Sequence, residues 1–533
     1  MAAIDPHQAK RRLHAPAEIA CLDLREHGQY GEGHPFLAVP CPYSRLETVV
    51  TALVPRRDVP IILVDGGDGV APRAAARLAA LGYAEIDWID GGAPAWAAAG
   101  YTLFKGVNLP SKTLGELVEA QWHSPAIGPD ALEAWRSEHR PFQLFDGRPA
   151  VEFAKMTIPG SRSMPNGEAG HRWEALASDG GPVVINCAGR TRSIIGAAGL
   201  ALVQPGLPVL ALENGTQGWA LSGRTLAHGR AAAPLPAAQA AASRQRADAF
   251  MAAHGLRQID RAEAEKLACE PGRTTYLLDV RDPAEHSAAP HAAAPPAPGG
   301  QLVQATDQWI GVRRARVILA DDTGLRAALA AFWLRQLGYE TYVLAGIDTW
   351  PADWRLPVEP FGQLHPAALP EVTASEAVSC AQNGDLLLDL RSSFDYRAGH
   401  LPGAAWSIRP RPPAVAGRRV LLVGDTSTTA LAAIDLIEAG AVSSHRIAGD
   451  AQAWRDAGLA LETSLDAPAD AEAIDFLFFV HDRHDGNLDA ARRYLAWEMG
   501  LLAQLDDAER NEYRLDAIDL RAGCEKVGTG FSR

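Results

Sequence analysis

Cysteine is scarce in this sequence: six residues in 533, at positions 21, 41, 187, 269, 380 and 524. No two of them form a CxxC pair, and their scatter gives no disulfide framework, which excludes a zinc ribbon and a small stapled domain. No apolar run reaches the roughly eighteen residues that a membrane-spanning helix needs. Basic residues are outnumbered, 50 Lys and Arg against 64 Asp and Glu, for a formal charge of -14. A nucleic-acid partner would want a basic face, so this balance argues against one. The N-terminus, Met-Ala-Ala-Ile-Asp-Pro-His-Gln, lacks the charged-then-apolar pattern of a secretory signal. These absences predict a cytoplasmic protein without a membrane partner, whose thiols are mostly plain buried side chains.

What is present is ordinary globular material, 47% apolar and 21% charged. The length exceeds one hydrophobic core several times over, so three to five domains are expected. Self-similarity shows how they are arranged. A strand ending in Asp-x-Arg occurs around Asp23, Asp146, Asp279 and Asp389, each with its Arg two residues on (Arg25, Arg148, Arg281, Arg391). A second apolar strand follows each time and runs into a polar turn at Asp65, Cys187, Asp321 and Gly424, which lie 42, 41, 42 and 35 residues beyond the Asp. A tryptophan (Trp96, Trp219, Trp350, Trp454) closes each copy, 31, 32, 29 and 30 residues later. Apolar strands alternating with alanine-rich helices predict α/β domains, each a parallel sheet covered on both faces.

The four-fold unit resembles the rhodanese domain. The resemblance is carried by these landmarks and by a linker, Gly399-His400-Leu401-Pro402-Gly403-Ala404 in the fourth copy, Gly33-His34-Pro35 in the first and Ile158-Pro159-Gly160-Ser161 in the second. In the third copy a proline-alanine stretch, 288–300, stands in its place and reads as a loop. The chain as a whole is similar to bacterial four-domain sulfurtransferases. The expected domains are 1–105, 106–235, 236–360 and 361–464, with a helical tail over 465–533. Copies one and two are expected to form one pair, and copies three and four a second. The alanine- and proline-rich tract 230–243 marks the boundary between the halves.

One copy keeps a nucleophile. Val183-Val184-Ile185-Asn186 reads as a buried strand, Cys187 to Arg192 as a loop, and Ser193 as the start of a helix. A cysteine at a helix N-terminus, in a curved loop with Arg190 and Arg192, is placed to exist as a thiolate. The same loop, Ala188, Gly189, Arg190, Thr191, Arg192 and Ser193, suits an anionic substrate, with the two arginines supplying positive charge. The resemblance implies that Cys187 takes a sulfur from thiosulfate as a persulfide and passes it to cyanide or a thiol. Mercaptopyruvate or a low-molecular-weight persulfide is the alternative donor, and a non-catalytic scaffold the alternative of another class. The resemblance also gives Asp146, Arg148 and Glu152 supporting roles. Cysteine phosphatases of this fold carry an Arg six positions after the Cys and a His before it. Here those positions hold Ser193 and Asn186, which disfavours that chemistry.

The other loops begin with Asp65, Asp321 and Gly424 and are expected to be inactive. No cofactor and no metal is called for. The acidic loops read as parts of scaffold domains that pack against the active copy and shape access to it, and the His481-Asp482-Arg483-His484-Asp485 cluster reads as local capping and packing. Cys524 is a candidate for accepting or relaying sulfur. A helix is expected from about 488 to 505, with Tyr494, Trp497 and Leu501 on one stripe. Small-molecule donor and acceptor are the expected partners, and a homodimer is left open.

Overall fold

The computed structural model describes residues 1–177, 180–357, 367–484 and 486–521, the His484 side chain excepted. Cys524 and Asp485 therefore lie outside the described residues. The chain divides into two compact units. One holds residues 1–10, 20–107 and 360–479; the other holds 11–19, 108–359 and 480–533.

In the first unit, copy one is built on parallel strands in the order Ala2–Ile4, Ile86–Ile89, Ile61–Val64, Ile19–Asp23, Val39–Pro40. Copy four repeats this order with Glu371–Val372, Ser443–Ile447, Arg419–Val423, Leu386–Asp389 and Ala405–Trp406. The pleat is buried on both sides, so the central strands are continuous runs such as Ile61–Val64, all four residues buried. The linker histidines are structural: His34 stacks on Tyr30 at 3.7 Å and His400 on Tyr396 at 3.8 Å. Copy four joins copy one through the buried Arg409. Its guanidinium bonds Glu47 at 2.6 and 2.8 Å and Asp435 at 3.1 and 3.2 Å, over the ring of Tyr43.

In the second unit, copy two has the same strand order: Ala126–Ile127, Val209–Leu212, Val183–Asn186, Gln143–Asp146, Arg162–Ser163. Copy three has three strands, Thr275–Asp279, Arg316–Asp321 and Glu340–Ala345. Single bridges, Gln258 to Val343 and Asp279 to Pro296, stand where the two edge strands run in the other copies. The proline-alanine stretch thus keeps one pairing contact of the strand it replaces. Copies two and three meet through Arg326, which bonds Glu168 at 3.2 Å, Asp322 at 2.7 Å and Glu285. Arg172 bonds Glu168 at 2.8 Å and Glu285 at 2.7 Å from the other side.

The units correct the expected pairing. Copy one packs with copy four, and copy two with copy three. The tract 230–243 is not where the units divide; its last four residues open the helix Ala240–His254, which packs against copy three's helix Leu325–Gln336. The tail is also shared: residues up to 479 belong to the first unit and those from 480 to the second. Its expected long helix is two, Leu488–Met499 and Leu501–Gln504, parted at Gly500.

Candidate active site

Each Asp-x-Arg sequence folds into one device. The Asp carboxylate accepts its own Arg's guanidinium, and that guanidinium also donates to a carbonyl eight residues further on. The four acceptors are Gly33, Met156, Ala289 and Gly399. In copy two, Arg148 bonds Asp146 at 2.8 and 2.7 Å and Met156 O at 2.6 Å, and Thr157 Oγ1 donates to Asp146 at 2.7 Å. Both side chains are buried, so the pair is close to fully desolvated. It closes the segment 146–157, while Gly147 N reaches Asn186 O at 2.9 Å, just before Cys187. Asp146 and Arg148 act on the loop at one remove.

Cys187 leaves the carboxyl end of the strand Val183–Asn186, at the centre of the sheet, where open α/β sheets place their ligands. Its side chain is buried, 2% exposed. The sulfur lies 3.6 Å from the Ser193 hydroxyl, in the first turn of the helix Thr191–Val203. That helix opens at Thr191, two residues before the expected Ser193. Ser193 is a misleading start signal: its hydroxyl donates back to Arg190 O at 2.8 Å instead of capping. The carbonyls of the loop face the following turn. Thr216 N donates to Cys187 O at 2.8 Å and Gln217 N to Ala188 O at 3.1 Å. The N–H groups of Ala188, Gly189 and Arg190 donate to no acceptor among the described residues.

The cysteine-less copies show what such a ring of donors does with a negative charge. Asp65 accepts from Gly67 N and Ala71 N, both at 2.9 Å. Asp321 accepts from Gly324 N at 2.5 Å and Arg326 N at 3.0 Å. In these copies a carboxylate of the loop itself takes the donors, so a soluble anion finds them occupied. In copy four, Asp425 caps the following helix at Thr428 N, 2.9 Å. Among the described residues no three His, Cys, Asp or Glu side chains gather as a metal site. Asn487 caps the helix Leu488–Met499 through Ala490 N at 3.0 Å.

Both loop arginines differ from expectation, because each is already paired. Arg190 bonds Glu116 at 2.8 and 3.0 Å and also Glu119. Arg192 bonds Glu152 at 2.6 and 2.8 Å. Neither brings an uncompensated positive charge to the loop, so its attraction for anions rests on backbone N–H groups and the helix N-terminus. Burial lifts Glu116 to about 7, helped by Glu498 and Glu119, although Arg190 pulls the other way.

Sequence reasoning missed Lys112, Glu116, Glu119, Gln217 and Glu498. The first three lie on the helix Leu109–Trp122, at the i, i+4, i+7 spacing that puts them on one face. That charged stripe was a signal in the sequence. Gly115 lets this helix approach closely, since a Cβ there would lie 2.9 Å from Thr191 Cγ2. Glu498 comes from the tail helix Leu488–Met499 and accepts from Thr191 Oγ1 at 3.0 Å and Lys112 Nζ at 3.3 Å. Burial pushes its carboxyl up, but Lys112, Arg483, the Thr191 hydroxyl and Arg190 outweigh this and hold it below the usual range. Nothing in the sequence linked position 498 to the loop.

A family model described as Rhodanese-like domain matches residues 5–99 and 129–222. The crystal structure of a thiosulfate sulfurtransferase from Pseudomonas aeruginosa is 35% identical, with a TM-score of 0.86, over 97% of this chain and 100% of its own. A structure of the Alr3790 protein from Anabaena sp. is 26% identical over 22% of this chain and 93% of its own, at a TM-score of 0.19. A search of curated proteins returned no match. No helix among the described residues is long and apolar enough to cross a membrane.

Proposed function

The chain belongs to the rhodanese family, and on that premise we propose that it is a sulfurtransferase working through a persulfide on Cys187, with thiosulfate as donor. The observation that carries this reading is the contrast between loops. Copies one and three answer their donor N–H groups with Asp65 and Asp321; copy two has a thiol at that position and leaves Ala188, Gly189 and Arg190 N–H unanswered. The Pseudomonas protein that matches across the whole chain, named a thiosulfate sulfurtransferase, supports the choice of donor.

The chemistry is a two-step nucleophilic exchange. The Cys187 thiolate attacks the outer sulfur of thiosulfate; the sulfur–sulfur bond breaks and sulfite leaves with the electron pair. The free N–H groups and the N-terminus of a 13-residue helix then face the anionic terminal sulfur of the persulfide. The Ser193 hydroxyl can turn to donate to the cysteine sulfur. A thiophile attacks the terminal sulfur and restores the thiolate. Ala188 to Ser193 form the binding loop, and Asp146, Arg148 and Glu152 hold it in shape.

Mass spectrometry after thiosulfate treatment tests this. Cys187 should gain one sulfur atom, and Cys187→Ser should lose both adduct and turnover. An unmodified Cys187, or full activity in Cys187→Ser, would leave the scaffold reading. One observation favours a different donor: with Arg190 and Arg192 both paired, the loop has less positive charge for a dianion. A low-molecular-weight persulfide would then load Cys187 faster than thiosulfate. Mercaptopyruvate belongs in the same comparison of loading rates.

A further inference from the structure

Gly189 has no side chain, and the space where one would project is already taken. A Cβ there would lie 3.0 Å from Glu498 Oε2, 3.6 Å from Gln217 Nε2 and 3.8 Å from Leu495 Cδ2. Glu498 is 1% exposed and Gln217 5%. Glu498 Oε1 is satisfied by Thr191 and Lys112. Glu498 Oε2 and both polar side-chain atoms of Gln217 have no hydrogen-bond partner among the described residues. Buried polar atoms are ordinarily paired, and a carboxylate oxygen is the costliest to leave bare.

The cations nearby do not fill this gap. Lys112 is held by Tyr494 Oη at 2.5 Å and by the other Glu498 oxygen. Arg190 is held by Glu116 and Glu119. Arg483 lies over the Tyr494 ring, 3.5 Å from its centroid, and contributes its charge to keeping Glu498 ionised. The bare charged atom is an acceptor, with a carboxamide beside it. The group that completes the set therefore donates N–H bonds, as an amine does.

We propose that Glu498 and Gln217 form an acceptor subsite, two residues along the loop from Cys187, that takes the protonated amine of an aminothiol. The inference rests on the Cys187 persulfide reading and names the acceptor class for its second step. In that step the aminothiol's thiolate attacks the terminal sulfur of the Cys187 persulfide. The bond between that sulfur and Cys187 breaks, its electron pair returns to Cys187, and the aminothiol leaves as its own persulfide. No external oxidant or reductant enters. The amine bound at Glu498 does not react; it places the attacking sulfur over the loop.

The test compares two acceptors of the same carbon skeleton, cysteamine and 2-mercaptoethanol, on protein first loaded with sulfur and checked by mass. Single-turnover discharge is measured and normalised to the thiolate present. Wild-type protein should discharge about tenfold faster with cysteamine, as one charge-assisted bond implies. Glu498→Gln should erase that preference, and Gln217→Met should reduce it. Gln217→Met keeps the test open should Glu498→Gln fail to fold, because the Gln217 carboxamide makes no hydrogen bond of its own. An equal rate with both acceptors in wild-type protein, or an unchanged ratio in the variants, overturns the subsite while leaving the persulfide intact. Faster thiosulfate loading in Glu498→Gln at an unchanged acceptor ratio also overturns it, showing the carboxylate to be a latch on the anion site. Failure of wild-type Cys187 to load at all overturns the persulfide reading, and the subsite with it.

Discussion

Replacing Gly215 by alanine probes whether the turn after Leu212 holds the Cys187 loop in its working shape. Gly215 has φ +52°, in the left-handed region that costs an alanine about 1–2 kcal/mol. Its added Cβ would also collide with Cys187 O and come within 2.9 Å of Gly189 O. Those are backbone atoms, so the loop or the turn must move. Moving either stretches the bonds from Thr216 N to Cys187 O and from Gln217 N to Ala188 O, each worth about 1 kcal/mol. Together these effects amount to about 3 kcal/mol, or more than a hundredfold in the equilibrium for opening the loop. Gly223→Ala is the control. Its φ is +82°, yet nothing lies within 4 Å of the new Cβ, so only the left-handed cost applies. Hydrogen exchange at Thr216 and Gln217 should therefore accelerate about a hundredfold in Gly215→Ala and far less in Gly223→Ala. Sulfur loading of Cys187 from thiosulfate should slow by a similar factor in the first variant only. Equal loading rates in the two variants would refute the argument that this contact sets the loop.

Three further outcomes follow from the pairs around the site. As pH falls through about 7, Glu116 takes up a proton and Arg190 loses one counter-charge, so KM for thiosulfate should fall below pH 7 and rise above it; in Glu116→Gln this dependence should flatten, read from KM apart from kcat. Arg148→Met should cost about 3–5 kcal/mol by leaving Asp146 buried and unpaired, and Arg148→Lys should recover only part, because a lysine cannot make the two-pronged bond; urea midpoints measure both. Asp321→Ala should lower the stability of its unit by about 2–3 kcal/mol through loss of the bonds to Gly324 N and Arg326 N, with sulfur loading of Cys187 measured by mass unchanged.

Features that depend on neighbours along the chain could be read from the sequence. The Asp-x-Arg device closes over eight residues, so its four occurrences announce it. The central strands are short apolar runs between breakers, and their period is set by burial on both faces. Cys187 stands out because three copies offer Asp65, Asp321 and Gly424 at the same place. The following helix starts two residues before Ser193; a serine near a helix start reads as a cap, and only the bond from Ser193 Oγ to Arg190 O shows that it is not one.

The sequence by itself thus determined the repeat, the sheet and the one copy with a cysteine in its loop, since each rests on local pattern and backbone sterics. Tertiary structure decided what surrounds Cys187. Arg190 meets Glu116 across 74 residues and Thr191 meets Glu498 across 307, and the partners of copy one and copy two are copy four and copy three. Charged side chains on helix faces look alike in a sequence whether they meet water or each other. Desolvation gives such pairs their effect on charge, and desolvation exists only once distant segments have closed over them.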